Sequence, residues 1–226
     1  MYFTNKYTRK QMKNIKLLSG LKVIFVFTFA IISMNANAQQ INGLGIFDGT
    51  SNIGGMKMFG SISYDASTQT YTLSGAGDNV WGNTDQHFYA WKKISGDFTM
   101  TTKVTFVGDR TNHRKIGIMI RDALTGESRC AHISFHGDGL TSLQSRTEPG
   151  GPTGEIKGPA NGNYMTLEKI GNKIRMKTAT GVLPREVTAE IEMEFSGFFY
   201  VGFFICSHDV DVLETAYFTN VEFKKL

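Results

Sequence analysis

The sequence predicts an all-β fold, an antiparallel sandwich in a single domain. Beyond the first forty residues the chain breaks into runs of about five to eight alternating or apolar residues, mostly separated by Gly, Asn, Asp or Ser. No stretch carries a long 3.6-residue apolar period, so nothing beyond a short peripheral helix is expected. A chain of 226 residues with 41% hydrophobic and 12% aromatic content suits one compact core rather than a disordered or multi-domain protein.

The runs fall at 61–75, 87–91, 97–107, 115–122, 129–137, 140–146, 164–180, 185–195, 198–207 and 214–223. In the third, Phe98, Met100, Val104 and Phe106 alternate with Thr99, Thr101, Lys103 and Thr105, which builds one side of a strand for the core. Within 164–180, Gly171-Asn172 supplies a two-residue turn between Leu167–Ile170 and Lys173–Met176, the signature of a hairpin. Farther on, Glu190, Glu192 and Glu194 share one strand face, with Ile191, Met193 and Phe195 on the other. Residues 116–135 and 200–218 each read as two strands around a polar turn. Residues 147–163 hold three of the four prolines and form the longest loop expected, a rim loop rather than a domain linker.

Residues 1–38 read as a leader. A basic region precedes the apolar stretch 21–34, and Ala36-Asn37-Ala38 offers the small-x-small pattern of a cleavage site, so a signal peptide is expected to end at Ala38. The continuous apolar run is short for a retained membrane span. Met12 opens a more compact leader and is an alternative start. The mature domain, 39–226, would then be secreted or periplasmic. Six of the 24 basic residues lie in the leader, which has no acidic ones; the remainder carries 18 basic against 20 acidic residues, a net charge of −2. That balance, with no dense Lys/Arg run, argues against nucleic acid as a partner. Cys130 and Cys206 lie in apolar strand-like segments; export permits a disulfide between them, but a domain of this size can build its core without one, and two buried thiols are the preferred reading. Neither sits in a recognisable catalytic motif.

The stretch Gly75–Gly82 (GAGDNVWG), followed by Asp85–Tyr89, Ile94–Phe98, Lys115–Asp122, Ser128–Ile133 and Ala216–Val221, resembles the concanavalin A-like, laminin-G-like sandwich domains of exported bacterial proteins. The resemblance spans most of residues 45–226 and implies a jelly-roll of two antiparallel sheets. It also implies a carbohydrate-recognition or adhesion module, while related sandwiches include glycosidases. It supplies no residue-by-residue ligand code.

Several residues carry a chemical reading of their own. Trp81, Tyr89 and Trp91 could offer flat surfaces to a sugar ring, with Asp85, Gln86 and His87 at the edge, because a pyranose presents apolar C–H faces ringed by hydroxyls. The bland reading places Tyr89 and Trp91 in a core. Arg121 and Asp122, with Arg129 and His132 beyond a short turn, form either a polar patch or an Arg–Asp pair that fixes the turn. His136, Asp138 and Arg146 are a further cluster, without the ligand spacing of a zinc-protease helix or an EF-hand. No cofactor is required by any motif, and a structural calcium held by Asp side chains and loop carbonyls is compatible with the fold. The Glu190/Glu192/Glu194 trio raises glycoside hydrolysis, which needs two carboxylates; a hydrated strand face is the plainer reading, since no Glu-x-Asp-x-x-Glu arrangement is present.

The expectation is therefore an exported, non-catalytic domain that binds carbohydrate or a cell-surface glycan. Its contacts would be Trp81, Asp85, Gln86, His87, Tyr89, Trp91, Arg121, His132, His136 and Arg146. The alternatives are a glycoside hydrolase acting on a polysaccharide on the same scaffold, and an envelope protein-interaction or adhesion domain.

Overall fold

The computed structural model describes residues 43–226, so the leader and its cleavage site lie outside the described residues. Sixteen strands are arranged as two seven-stranded antiparallel sheets and one two-stranded hairpin. The front sheet has the order β1 (Gly49–Ile53), β6 (His87–Ile94), β15 (Phe199–Cys206), β8 (Lys115–Arg121), β9 (Cys130–His136), β10 (Thr141–Arg146), β11 (Gly154–Lys157). The back sheet runs β14 (Ala189–Glu192), β13 (Lys173–Ala179), β12 (Tyr164–Ile170), β7 (Phe98–Val107), β16 (Asp209–Lys225), β3 (Thr70–Gly77), β2 (Ser61–Asp65). The hairpin joins β4 (Val80–Trp81) to β5 (Thr84–Asp85). The chain passes from front to back and returns at β6–β7–β8 and crosses again at β15–β16, as the predicted jelly-roll sandwich requires.

Alternation explains the back sheet. Phe98, Met100 and Val104 of β7 are buried, while the Thr and Lys residues between them are partly exposed apart from Thr102, whose hydroxyl donates to the Thr219 carbonyl. Leu73, Met165, Leu167, Ile174, Met176 and Phe218 add to the same layer. From the front come Phe88, Ile116, Ile118, Ile133, Leu143 and Phe203. The β12–β13 pair forms the expected hairpin, with Ile170 opposite Lys173 and Gly171 at φ 56°, a conformation that costs glycine little.

Three segments depart from the sequence reading. The 116–135 region is a hairpin, β8 paired with β9, but 200–218 is not: β15 belongs to the front sheet and β16 to the back. The rim loop at 147–163 contains an edge strand, β11, between Pro152 and Pro159; proline is tolerated beside an edge strand because it breaks no inner ladder. β1, with the sequence GTSNI, pairs along β6 and had no strand-like pattern. Cys130 and Cys206 are separate buried thiols, each pushed up to about 12 by burial.

The front sheet is also covered on its outer face. A second apolar cluster, Ile53, Val80, Tyr89, Met119, Cys130, Phe204 and Cys206, packs there, which is why every residue of β8 and β9 is buried. Among the described residues no helix is long and apolar enough to cross a membrane.

Candidate functional site

The outer face of the front sheet changes character from one end to the other. At the β1–β6 end it carries the apolar cluster; toward β9, β10 and β11 the ladder turns polar. Antiparallel register sets Lys115 opposite His136, Met119 opposite His132, His132 opposite Gln144, and Gln144 opposite Glu155. Side chains of period two therefore place Lys115, His132, His136, Gln144 and Glu155 on one face although they span forty residues of sequence.

The cover over this face is tied by buried ions. Arg146 grips Asp85 bidentately, Nη2 to Oδ1 at 2.6 Å and Nη1 to Oδ2 at 3.0 Å. The same guanidinium donates to the carbonyls of Gly82, Gly126 and Ser128. Thus one side chain joins the β4–β5 hairpin to the 122–129 loop, and Thr153, donating to Gly82 O at 2.8 Å, adds the segment before β11. Arg121 lies on the other side of Asp85, 3.5 Å from Oδ2, and donates to the carbonyls of Ala123 and Thr125. It also donates to His87 Nε2 at 3.1 Å; an arginine has no acceptor, so His87 is neutral with its proton on Nδ1. Burial, reinforced by Arg121, holds His87 well below the ordinary histidine pKa. His132, bonded to Ser134 at 2.9 Å, is lowered in the same way by burial and by Lys115 and the two arginines.

Beside this knot opens a polar basin of about 380 Å³. Trp81, 40% exposed at the tip of the β4–β5 hairpin, forms one wall. The floor and opposite wall come from Lys115, Gln144, Glu155 and Lys157. Lys115 Nζ donates to Asn79 Oδ1 at 2.8 Å and Val80 O at 3.1 Å and lies 5.6 Å from the centre of the Trp81 ring. Gln144 donates to Glu155 Oε1 at 2.9 Å and to Ser142, and its own Oε1 is buried with no partner. An exposed indole wall over a floor of donors and acceptors can stack one face of a small ring and bond its edge.

The sequence-predicted residues divide accordingly. Trp81 lines the basin. Asp85, His87, Arg121, His132 and Arg146 are fully or almost fully buried and belong to the knot and the floor beneath it. Gln86 caps the turn before the hairpin by accepting from the Asp78 amide. Tyr89 is buried, its hydroxyl donating to Met119 O at 3.0 Å. Trp91 stands apart at the β1 edge, edge-on to Tyr200, with Nε1 donating to Ser51. His136 lies outside the basin, lining a separate pocket with Asp138 and Thr141; its Nδ1 donates to Leu140 O, it packs against His113, and burial draws its pKa down to about 4. Asp138 accepts from His113 at 2.9 Å. Sequence reasoning missed Lys115, Gln144, Glu155 and Lys157, whose convergence depends on register across four strands.

The glutamate trio is split. Glu190 is held by Lys173 and Arg175 on the surface of the back sheet, while Glu192 and Glu194 border a separate shallow depression with Glu148 and Arg129. Among the described residues no group of three or more His, Cys, Asp or Glu is placed to hold a metal ion.

No protein-family model matches the chain, and no curated protein matches it. Solved structures do. A functionally unknown protein from Saccharomyces cerevisiae is 16% identical with a TM-score of 0.60, covering 82% of this chain and 99% of that one. The carbohydrate-binding module CBM66 from Bacillus subtilis is 12% identical, TM-score 0.52, covering 80% and 98%. A xylan β-1,4-xylosidase from Bacillus halodurans is 14% identical, TM-score 0.51, over 73% of this chain and 34% of that one. At these identities the likeness establishes a shared β-sandwich fold and singles out no concanavalin A-like or laminin-G-like family.

Proposed function

We propose that this chain is a carbohydrate-binding sandwich domain of the concanavalin A-like, laminin-G-like kind, with its ligand seated in the basin under Trp81. The observation that carries this reading is the exposed Trp81 ring set over a polar floor on a rigid, ion-tied hairpin. An unsupported surface tryptophan would lose more freedom on binding; here the Asp85–Arg146 pair and the Val80 packing fix the hairpin beforehand. The likeness to a carbohydrate-binding module over nearly its whole length supports the same reading.

Hydrolysis is the second reading, and two observations favour it. A part of the xylosidase, 34% of that chain, shares the fold, and Glu148, Glu192 and Glu194 line one depression, where paired carboxylates would meet the need of glycoside chemistry. A single experiment separates the two. The full-length protein is screened on a glycan array with calcium and with chelator, and each hit is incubated and its products weighed by mass spectrometry. Saturable binding with intact glycan, lost in Trp81→Ala, is the expected result. Cleavage that is lost in Glu192→Gln or Glu194→Gln would replace binding with hydrolysis, and an array without hits would move the chain to a protein-interaction role.

A further inference from the structure

The basin stands over an imbalance of buried charge. On the outer face of the front sheet three cations are buried, Lys115, Arg121 and Arg146, and one carboxylate, Asp85. Asp85 is fully engaged, with both oxygens on Arg146 and Oδ2 also facing Arg121. Lys115 is in direct contact only with neutral groups, the Asn79 amide oxygen, the Val80 carbonyl and the Trp81 ring, while the Glu155 and Asp85 carboxylates act on it only through space. Among the described residues it forms no ion pair, although it is 2% exposed. Glu155, across the basin, is bonded to Gln144 and drawn by Lys157, two residues along its own strand.

Burying an ammonium with no carboxylate in direct contact is unfavourable, and its field adds to burial in lowering the pKa of both His132 and His136. An ammonium has three donors. Two are taken by Asn79 and Val80, and the third is left on a side chain that lines the basin. Lys157, exposed at the rim, adds a second positive charge on the same opening.

We propose that the basin selects an anionic sugar, one bearing a carboxylate or sulfate, whose acid group meets Lys115 Nζ while the ring lies against Trp81 and Lys157 stands at the entrance. This rests on the reading of the basin as a glycan site. A neutral sugar would satisfy the floor's hydrogen bonds but bring no negative charge into contact with the buried ammonium.

The test is calorimetric titration of the full-length protein with three sets of oligosaccharides matched in length: uronate-containing, sulfated and neutral. The expected result is that at least one acidic set binds roughly tenfold or more tighter than the neutral set and weakens as salt rises. Carboxylate and sulfate arms identify which acid is read. Lys115→Met should abolish that preference, with its unfolding midpoint measured alongside; Lys157→Glu, at an exposed position, should shrink the preference in a protein whose fold is not at risk. Neutral and acidic sugars binding alike, or a preference untouched by Lys157→Glu in wild-type-like protein, would overturn the selection for anions while leaving glycan binding intact. Absence of binding to all three sets would overturn both.

Discussion

Trp81 and Asp85 lie four residues apart and do opposite work. Trp81 is exposed and packs little, so Trp81→Ala is expected to weaken glycan binding about tenfold or more while shifting thermal stability only slightly; titration and a melting curve check both. Asp85 is the anion shared by two buried guanidiniums. Asp85→Ala would leave both without a counter-charge and should cost about 3–5 kcal/mol in denaturant unfolding, whereas Glu190→Ala, which removes surface ion pairs, should leave the unfolding midpoint nearly unchanged. The histidines give a pH signature. His136 sits at about 4 against 6.5 for the free side chain, so between those values the unfolded chain takes up a proton that the folded state does not. Stability is complete above about pH 6.5 and falls as pH drops toward 4, by roughly 3 kcal/mol from His136 alone, with His87 and His132 acting in the same direction. Urea titrations between pH 7 and pH 4.5 should show this loss, and His136→Gln should reduce it while the contribution of His87 and His132 remains. Of these residues, the histidines stand out in the sequence as polar groups within strand-like runs, and Trp81 and Asp85 as an aromatic and a carboxylate in the turn-rich segment between two runs. Their division into exposed wall and buried knot does not, because burial depends on loops 122–129 and 147–153 closing over them.

At the level of elements, alternation reveals what one face of water reveals. In β7 the back sheet has solvent on one side, and its pattern is legible; β8 and β9 are covered on both sides and read as continuous apolar or mixed runs. The two-stranded reading of 200–218 identified both strands but not their separation, since a polar turn looks the same whether the chain folds back or crosses to the other sheet. β11 is hidden by its prolines and by having only four residues. Close approach leaves its own mark at Gly117 in β8, where a Cβ would stand 1.7 Å from the Ile133 carbonyl oxygen. Gly117→Ala is expected to cost about 1–3 kcal/mol or more, measured by denaturant unfolding, because the obstruction is backbone in a central strand and has nowhere to move. The same displacement would shift Lys115, two residues away, and so weaken ligand binding even in protein that still folds.

For the whole molecule, the two sheets of the sandwich are covered differently. The back sheet buries its inner side and leaves the outer side in water; the front sheet buries both, one against the core and the other beneath a hairpin, two loops and a row of ions. That second burial needs a purpose beyond stability, since apolar residues would cover the face with less desolvation of charge. Under the proposed function, that purpose is to hold an exposed tryptophan over a floor of Lys115, Gln144 and Glu155. The most direct test is a backbone and indole NMR titration of the full-length protein with an array-identified glycan. The account predicts shifts concentrated at the Trp81 indole, the Gln144 side-chain amide and the amides of Lys115 and Lys157. Shifts confined instead to the Glu148–Glu192–Glu194 depression or to the outer face of the back sheet would contradict it.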